Sequence, residues 1–141
     1  MDGFEVFHLG RKLMRLGEQS MPDPEFHRLG MLARTVLFDI AEHPGSSITD
    51  VTARVQLPQS QVSAYVSRLR EVGAVEIVTD PGDRRRTLVR LTAEALARAE
   101  ARPPAEIDTA LTALIGTADP AEIQQAKDAL KTLAALLRPR E

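Results

Sequence analysis

Residues 69–92, LREVGAVEIVTDPGDRRRTLVRLT, change their apolar period midway. Up to Gly73 the spacing is helical: Val62, Val66, Leu69 and Gly73 share one side, with Tyr65 and Val72 at its margin. From Ala74 the period becomes two. Val75, Ile77 and Thr79 alternate with Glu76 and Val78, and Val89 and Leu91 alternate with Leu88 and Arg90. Pro81-Gly82-Asp83 supplies turn chemistry between the two runs, so the stretch predicts a β-hairpin. Beside the turn stand Arg84, Arg85 and Arg86. Three adjacent like charges repel one another, so the cluster either lies open to water or receives a polyanion.

Upstream, Ser47-Ile48-Thr49-Asp50 has the pattern of a capping box and opens a short helix to about Val55, with Ile48, Val51 and Val55 inward. Gln56-Leu57-Pro58 makes the next corner, which gives a helix-turn-helix ahead of the hairpin. A helix is predicted over 24–42, with Asp23 as its cap and Pro24 at its first position. Its stripe is Leu29, Leu32, Ala33, Val36, Leu37 and Ile40, and HPGS at 43–46 ends it. An earlier helix over 4–17 carries Phe4, Phe7, Leu9, Leu13, Met14 and Leu16, interrupted by Gly10. After the hairpin, Glu94 marks a helix start behind Thr92. Pro103-Pro104 interrupts that helix, which resumes through Ile107, Leu111, Leu114 and Ile115 to Gly116. Asp119-Pro120-Ala121-Glu122 opens the last helix in the manner of a capping box, with Ile123, Ala126, Leu130, Leu133 and Leu137 on one stripe.

The chain has 141 residues, 43% hydrophobic and 27% charged, which describes one ordinary globular domain or one core with peripheral helices. No apolar run nears the roughly 20 residues of a membrane span. No secretory signal is evident, and cysteine is absent. That excludes disulfides and cysteine-bound zinc, and it fits the cytoplasm. The formal net charge of −2 hides an asymmetry. Between Arg54 and Arg90, seven basic residues stand against four acidic ones, leaving +3 there and −5 for the remainder. Positive charge is concentrated where a polyanion would be held.

Helix, turn, helix and hairpin in that order resemble the MarR family of winged helix-turn-helix transcription regulators. The family motif runs L-x-x-x-G-h-V, a short gap, D-x-R, then h-x-h-T. Leu69, Gly73, Val75, Asp83, Arg85, Val89, Leu91 and Thr92 occupy those places. The resemblance implies a mainly α fold with a small β-hairpin wing: a winged helix-turn-helix at 44–91 for DNA binding, and a helical dimerisation region at 1–43 and 92–141. It implies that Arg85 enters the minor groove with Asp83 steering its guanidinium, and Arg84 and Arg86 are then read as phosphate contacts. It further implies a homodimer with the first and last helices interlocked, and a regulator, a repressor by family expectation, on a palindromic operator. Two departures stand out. Ile77 occupies a place where the family often has a basic residue, and Pro103-Pro104 breaks an expected continuous helix.

The residues themselves support a duplex-binding surface. With Val62 as the buried centre and 100° per residue, Ser60, Ala64, Ser67 and Glu71 point away from the core. Gln59, Ser63 and Arg70 flank them on one side, Gln61 and Arg68 on the other. Small outward residues let a helix approach base edges in a major groove about 12 Å wide. The plainer reading is a solvated helix face and a charged hairpin tip. The rival function is a winged module for protein–protein association, or a structural dimer.

MarR-like proteins commonly respond to a small aromatic or anionic effector between the dimer region and the winged module. Candidate lining residues are Phe7, Arg11, Phe26, His27 and Arg34; the plainer reading puts Phe7 and Phe26 in the core and the arginines in solvent. His8, His27 and His43 are too widely spaced for a metal site. Asp80 and Asp83, beside arginines in a turn, suit salt bridging better than acid–base work. No cofactor motif or nucleophile–base signature is present, so no enzyme is expected.

Overall fold

The computed structural model describes residues 1–21 and 24–138; Asp23, expected as a helix cap, lies outside them. The elements are α1 (Gly3–Ser20), α2 (Pro24–Arg28), α3 (Met31–Glu42), α4 (Ile48–Val55), α5 (Gln59–Glu71), β1 (Val75–Thr79), β2 (Thr87–Leu91), α6 (Ala93–Ala101), α7 (Asp108–Ile115) and α8 (Pro120–Leu136). They form two compact units, Asp23–Pro103 and Met1–Pro22 with Pro104–Glu141.

The helix expected over 24–42 is two helices. Gly30 stands in extended backbone before α3, with φ −63° and ψ 160°. Glycine costs about 1 kcal/mol in a helix interior, so the break falls where helix propensity is weakest. α2 closes with Leu29 donating to the Phe26 carbonyl at 3.2 Å. Of the expected stripe, Ala33, Val36 and Ile40 are buried, Leu29 and Leu37 pack against the core, and Leu32 is exposed.

The winged unit closes around Val36, Ile40, Val51, Val62, Val66, Leu69, Val75 and Val89. Each such side chain contributes about 1.5–3 kcal/mol of burial, which orders the motif without a disulfide or a metal. α3 packs on α4, α5 and β2, so this core extends beyond 44–91. The expected capping box is present: the Ser47 side chain accepts the Asp50 amide at 3.1 Å, and Asp50 accepts the Ser47 amide at 3.0 Å. α4 stops at Gln56, which takes the left-handed conformation at φ 55°, and Pro58 opens α5. Behind α5 the chain reverses at Gly73, whose φ of +74° favours glycine. Thr92 locks the reversal by donating its hydroxyl to the Gly73 carbonyl at 2.7 Å, and it caps α6 through the Ala95 amide.

The hairpin pairs Val75 with Leu91, Ile77 with Val89 and Thr79 with Thr87. Ser46 covers the free edge of β2, accepting the Val89 amide at 2.8 Å. Ile77 packs against the core, which gives an apolar side chain a use at the position where a basic residue was expected.

In the helical unit, Leu16, Leu111 and Ile123 form a small buried cluster, with Leu13, Ile107, Ala126 and Leu130 around it. α1 begins with a capping box between Asp2 and Glu5 and extends beyond the expected 4–17. α6 and α7 are separate helices on either side of 102–107, as the proline pair predicts. α8 differs from its expected box. Asp119 accepts the Ala121 amide at 3.0 Å, but its own amide donates to Thr117 Oγ1 at 3.1 Å instead of Glu122. Phe4 is 89% exposed, Phe7 70%, Leu136 71% and Leu137 73%.

Candidate nucleic-acid interface

α5 presents its polar face as its periodicity predicts. Val62, Val66 and Leu69 are buried, while Gln59, Ser60, Gln61, Ala64, Ser67, Arg68, Arg70 and Glu71 are exposed and Ser63 is half-buried. The outward surface is therefore short side chains and amides edged by arginine. Arg68 lies on the flank of α5 that also borders a cleft with Val72.

The wing tip is a folded loop. Asp80 donates its amide to the Arg86 carbonyl at 2.8 Å, closing residues 80–86 at their base. Two carboxylates stiffen the interior: Asp80 Oδ1 accepts the Gly82 amide at 2.8 Å, and Asp83 Oδ1 accepts the Arg85 amide at 3.0 Å. This corrects two expectations. Among the described residues, Asp80 and Asp83 form no salt bridge with the arginines, and Asp83 holds the backbone of Arg85 instead of its guanidinium. An aspartate two residues before an amide reaches it at little entropic cost, whereas adjacent side chains in a tight turn diverge. Arg84, Arg85 and Arg86 are all exposed.

Ion pairing divides the arginines of the basic segment. Arg54 donates through Nε and Nη2 to Asp39 at 2.9 and 2.8 Å, and through Nη2 to Ser46 at 2.7 Å. The Asp39 bond raises its pKa further above the ordinary arginine value. Arg90 pairs with Glu76 across the hairpin at 2.7 Å. Arg86 pairs with Asp50 at 2.7 Å. Among the described residues, Arg68, Arg70, Arg84 and Arg85 have no acidic partner, so the charge open to a polyanion lies on α5 and the wing tip. Sequence reading missed Asp39 and Asp50 as partners, because separations of 15 and 36 residues leave no local signal. Asp50 is held below the ordinary carboxylate range, first by the Ser47 amide, then by the Ser47 side chain and Arg86.

The expected effector residues divide between the two units. Phe26 is buried, with the His27 and Phe38 rings edge-on at 6.1 and 5.6 Å and the Arg34 guanidinium 5.0 Å from its centroid. Phe7 and Arg11 lie exposed on α1, so Phe26 is a core residue and Phe7 is not. Phe26 lines a cleft of about 570 Å³ in the winged unit, together with Leu37, Phe38, Val72 and Arg98. Among the described residues no group of three or more His, Cys, Asp or Glu could hold a metal, and no helix is long and apolar enough to cross a membrane.

A core-backed helix with a polar outer face, followed by a rooted hairpin with arginines at its tip, defines a winged helix DNA-binding protein. Residues 29–95 match the family model described as a winged helix DNA-binding domain. The fold is similar to MarR from E. coli in its apo form, with a TM-score of 0.65 at 19% identity over 94% of this chain and 97% of that one. It is also similar to the PcaV transcriptional regulator from Streptomyces coelicolor in complex with its natural ligand, with a TM-score of 0.51 at 27% identity over 93% and 92%. A third likeness is to BpsR of Bordetella bronchiseptica, whose DNA binding is regulated by 6-hydroxynicotinic acid; the TM-score is 0.52 at 25% identity over 92% and 91%. No curated protein matches the chain in sequence. Residues 29–95 thus match a winged helix DNA-binding domain, and the fold as a whole is similar to those of solved MarR-like regulators.

Proposed function

We propose that the protein is a repressor that binds a palindromic operator as a homodimer, releases it on binding a small aromatic or anionic effector, and has no enzymatic activity. One observation carries the reading: among the described residues of the basic segment 54–90, the arginines without acidic partners, Arg68, Arg70, Arg84 and Arg85, lie on the wing tip and on α5, the helix that exposes Gln59, Ser60, Gln61, Ala64 and Ser67 beside half-buried Ser63. In this reading α5 enters the major groove, Arg85 enters the minor groove and Arg84 meets phosphate. The acidic remainder of the chain limits indiscriminate binding.

The winged unit binds DNA and the helical unit associates with a second copy, because the apolar residues of α1 and α8 are left in the open. Two α5 helices one duplex turn apart, about 34 Å, then read a palindrome. The effector reading is supported by the ligand complex of PcaV, by the regulation of BpsR DNA binding by 6-hydroxynicotinic acid, and by the ring and guanidinium cluster of Phe26, His27 and Arg34. Phe7 and Arg11 remain its candidates on α1. An effector shifts operator affinity only by binding the DNA-incompetent arrangement more tightly. A regulator of this kind works in the cytoplasm, on the nucleoid.

Selection from a random duplex library, followed by a salt titration of the enriched site, tests the proposal. Enriched half-sites one turn apart and a steep negative salt slope are expected. A chain that enriches no duplex is instead a protein–protein or structural module.

A further inference from the structure

The hairpin is held at two places by different chemistry. At its root Val75 and Val89 are sealed in the core, and Ser46 bonds the outer edge of β2. Toward the tip that face empties: Ile77, opposite Val89, is only half-buried, and beyond it the last pair, Thr79 and Thr87, is exposed. A two-stranded ribbon is marginally stable by itself, so apolar burial does not set the direction of its outer half. There, Arg86 Nη2 donates to Asp50 Oδ2 at 2.7 Å, across 36 residues of sequence. Among the described residues, no other side chain of 80–87 bonds to another element.

Both ends of this contact are fixed by the backbone. Arg86 sits at the base of the loop, its carbonyl accepting the Asp80 amide and its amide donating to the Asp83 carbonyl at 2.9 Å. Asp50 is held at the start of α4 by its exchange with Ser47. Arg84 and Arg85, by contrast, ride on the span between. The pair also neutralises a carboxylate at the start of α4, which would otherwise repel a phosphate close by.

From this juxtaposition we infer that Arg86 and Asp50 form a strut that sets the angle of the wing against the helix-turn-helix. Arg86 is thus a positioning residue that acts through Arg84 and Arg85, not a phosphate ligand. The inference rests on the DNA-binding reading above.

The test uses the full chain and its selected duplex, with Arg86→Ala, Asp50→Asn, the double variant and Arg86→Lys. Asparagine still accepts the Ser47 amide, so α4 keeps its cap. Each single change is expected to weaken binding by up to about fivefold, the upper end of what an exposed ion pair contributes. The double variant should be no weaker than either single one, Arg86→Lys should recover most of the loss, and the salt slope should stay at its original value. Hydrogen exchange of the Asp80 and Arg86 amides in the free protein should speed up in both single variants. A slope shallower by about one unit per subunit in Arg86→Ala, together with tighter binding by Asp50→Asn, would overturn the strut and make Arg86 a phosphate contact. Unchanged amide exchange in both variants would also overturn it. If the unaltered protein selects no duplex, the DNA-binding reading fails while amide exchange still decides the strut.

Discussion

Among the described residues, the winged unit seals nine side chains, from Ala33 to Val89, to 1% exposure or less, whereas the helical unit buries only Leu16, Leu111 and Ile123 and leaves Phe4, Phe7, Leu136 and Leu137 open. The same kind of periodic apolar stripe serves both. In the winged unit, helices cross and a hairpin closes the gap, so the stripes meet inside one chain. In the helical unit, α1 and α8 carry more apolar surface than α7 can cover. One unit closes a sealed core of its own, although Met31, Phe38, Val72 and Leu96 stay exposed on it. The other presents a surface of the sort that association covers, which is why homodimer formation is proposed for it.

Substitutions can break or sharpen that contrast. Leu69→Ala, at a site with no exposure, should destabilise the winged unit by about 2–5 kcal/mol in chemical denaturation. Leu136→Ala should change monomer stability by less than about 0.5 kcal/mol. Equal losses would erase the distinction between the units. Next in size, Phe7→Glu should weaken association by about 2 kcal/mol or more, visible in sedimentation as a shift from dimer to monomer. An unaltered mass distribution would remove α1 from the dimer surface.

On the winged side, Arg85→Ala should weaken operator binding by about 1–3 kcal/mol and leave the unfolding midpoint in place. A midpoint shift of similar size would make Arg85 a structural residue. Ser47→Ala removes half of the α4 capping box and should cost about 1 kcal/mol of stability, read from the denaturation midpoint. The smallest effect concerns acid. Because the folded-state pKa of Asp50 is lowered from 3.8, its contribution to stability is present above that value and is lost as pH falls through the lower folded value. Asp50→Asn should therefore flatten the acid limb of the stability profile, and an unchanged limb would remove this role from Asp50.

Much of the winged motif was legible because its signals are local. The Ser47–Asp50 box, the apolar stripe of α5 and the alternation on either side of residues 81–83 each lie within one helical turn or one strand pairing, where the chain itself enforces proximity. The proline break after α6 is of the same kind. Gly30 was the exception, since a single glycine inside a periodic stripe is compatible with either a continuous or a broken helix. The outward face of α5 was likewise legible, because burying Val62, Val66 and Leu69 determines where Ser60, Ala64 and Ser67 point.

Which arginines were left for a polyanion was another matter. Nothing in the sequence says which of the seven basic residues between Arg54 and Arg90 is ion-paired, yet Arg54, Arg86 and Arg90 take carboxylate partners. Asp39 reaches Arg54 only because α3 packs on α4, and Asp50 reaches Arg86 only because the hairpin folds back beside the start of α4. Amino-acid order therefore determined the helices, the hairpin and the face that α5 turns outward, through steric and hydrogen-bond preferences acting over a few residues. Assembly of those pieces decided the charge pattern of the surface, because ion pairing depends on distances that arise only after distant segments pack together.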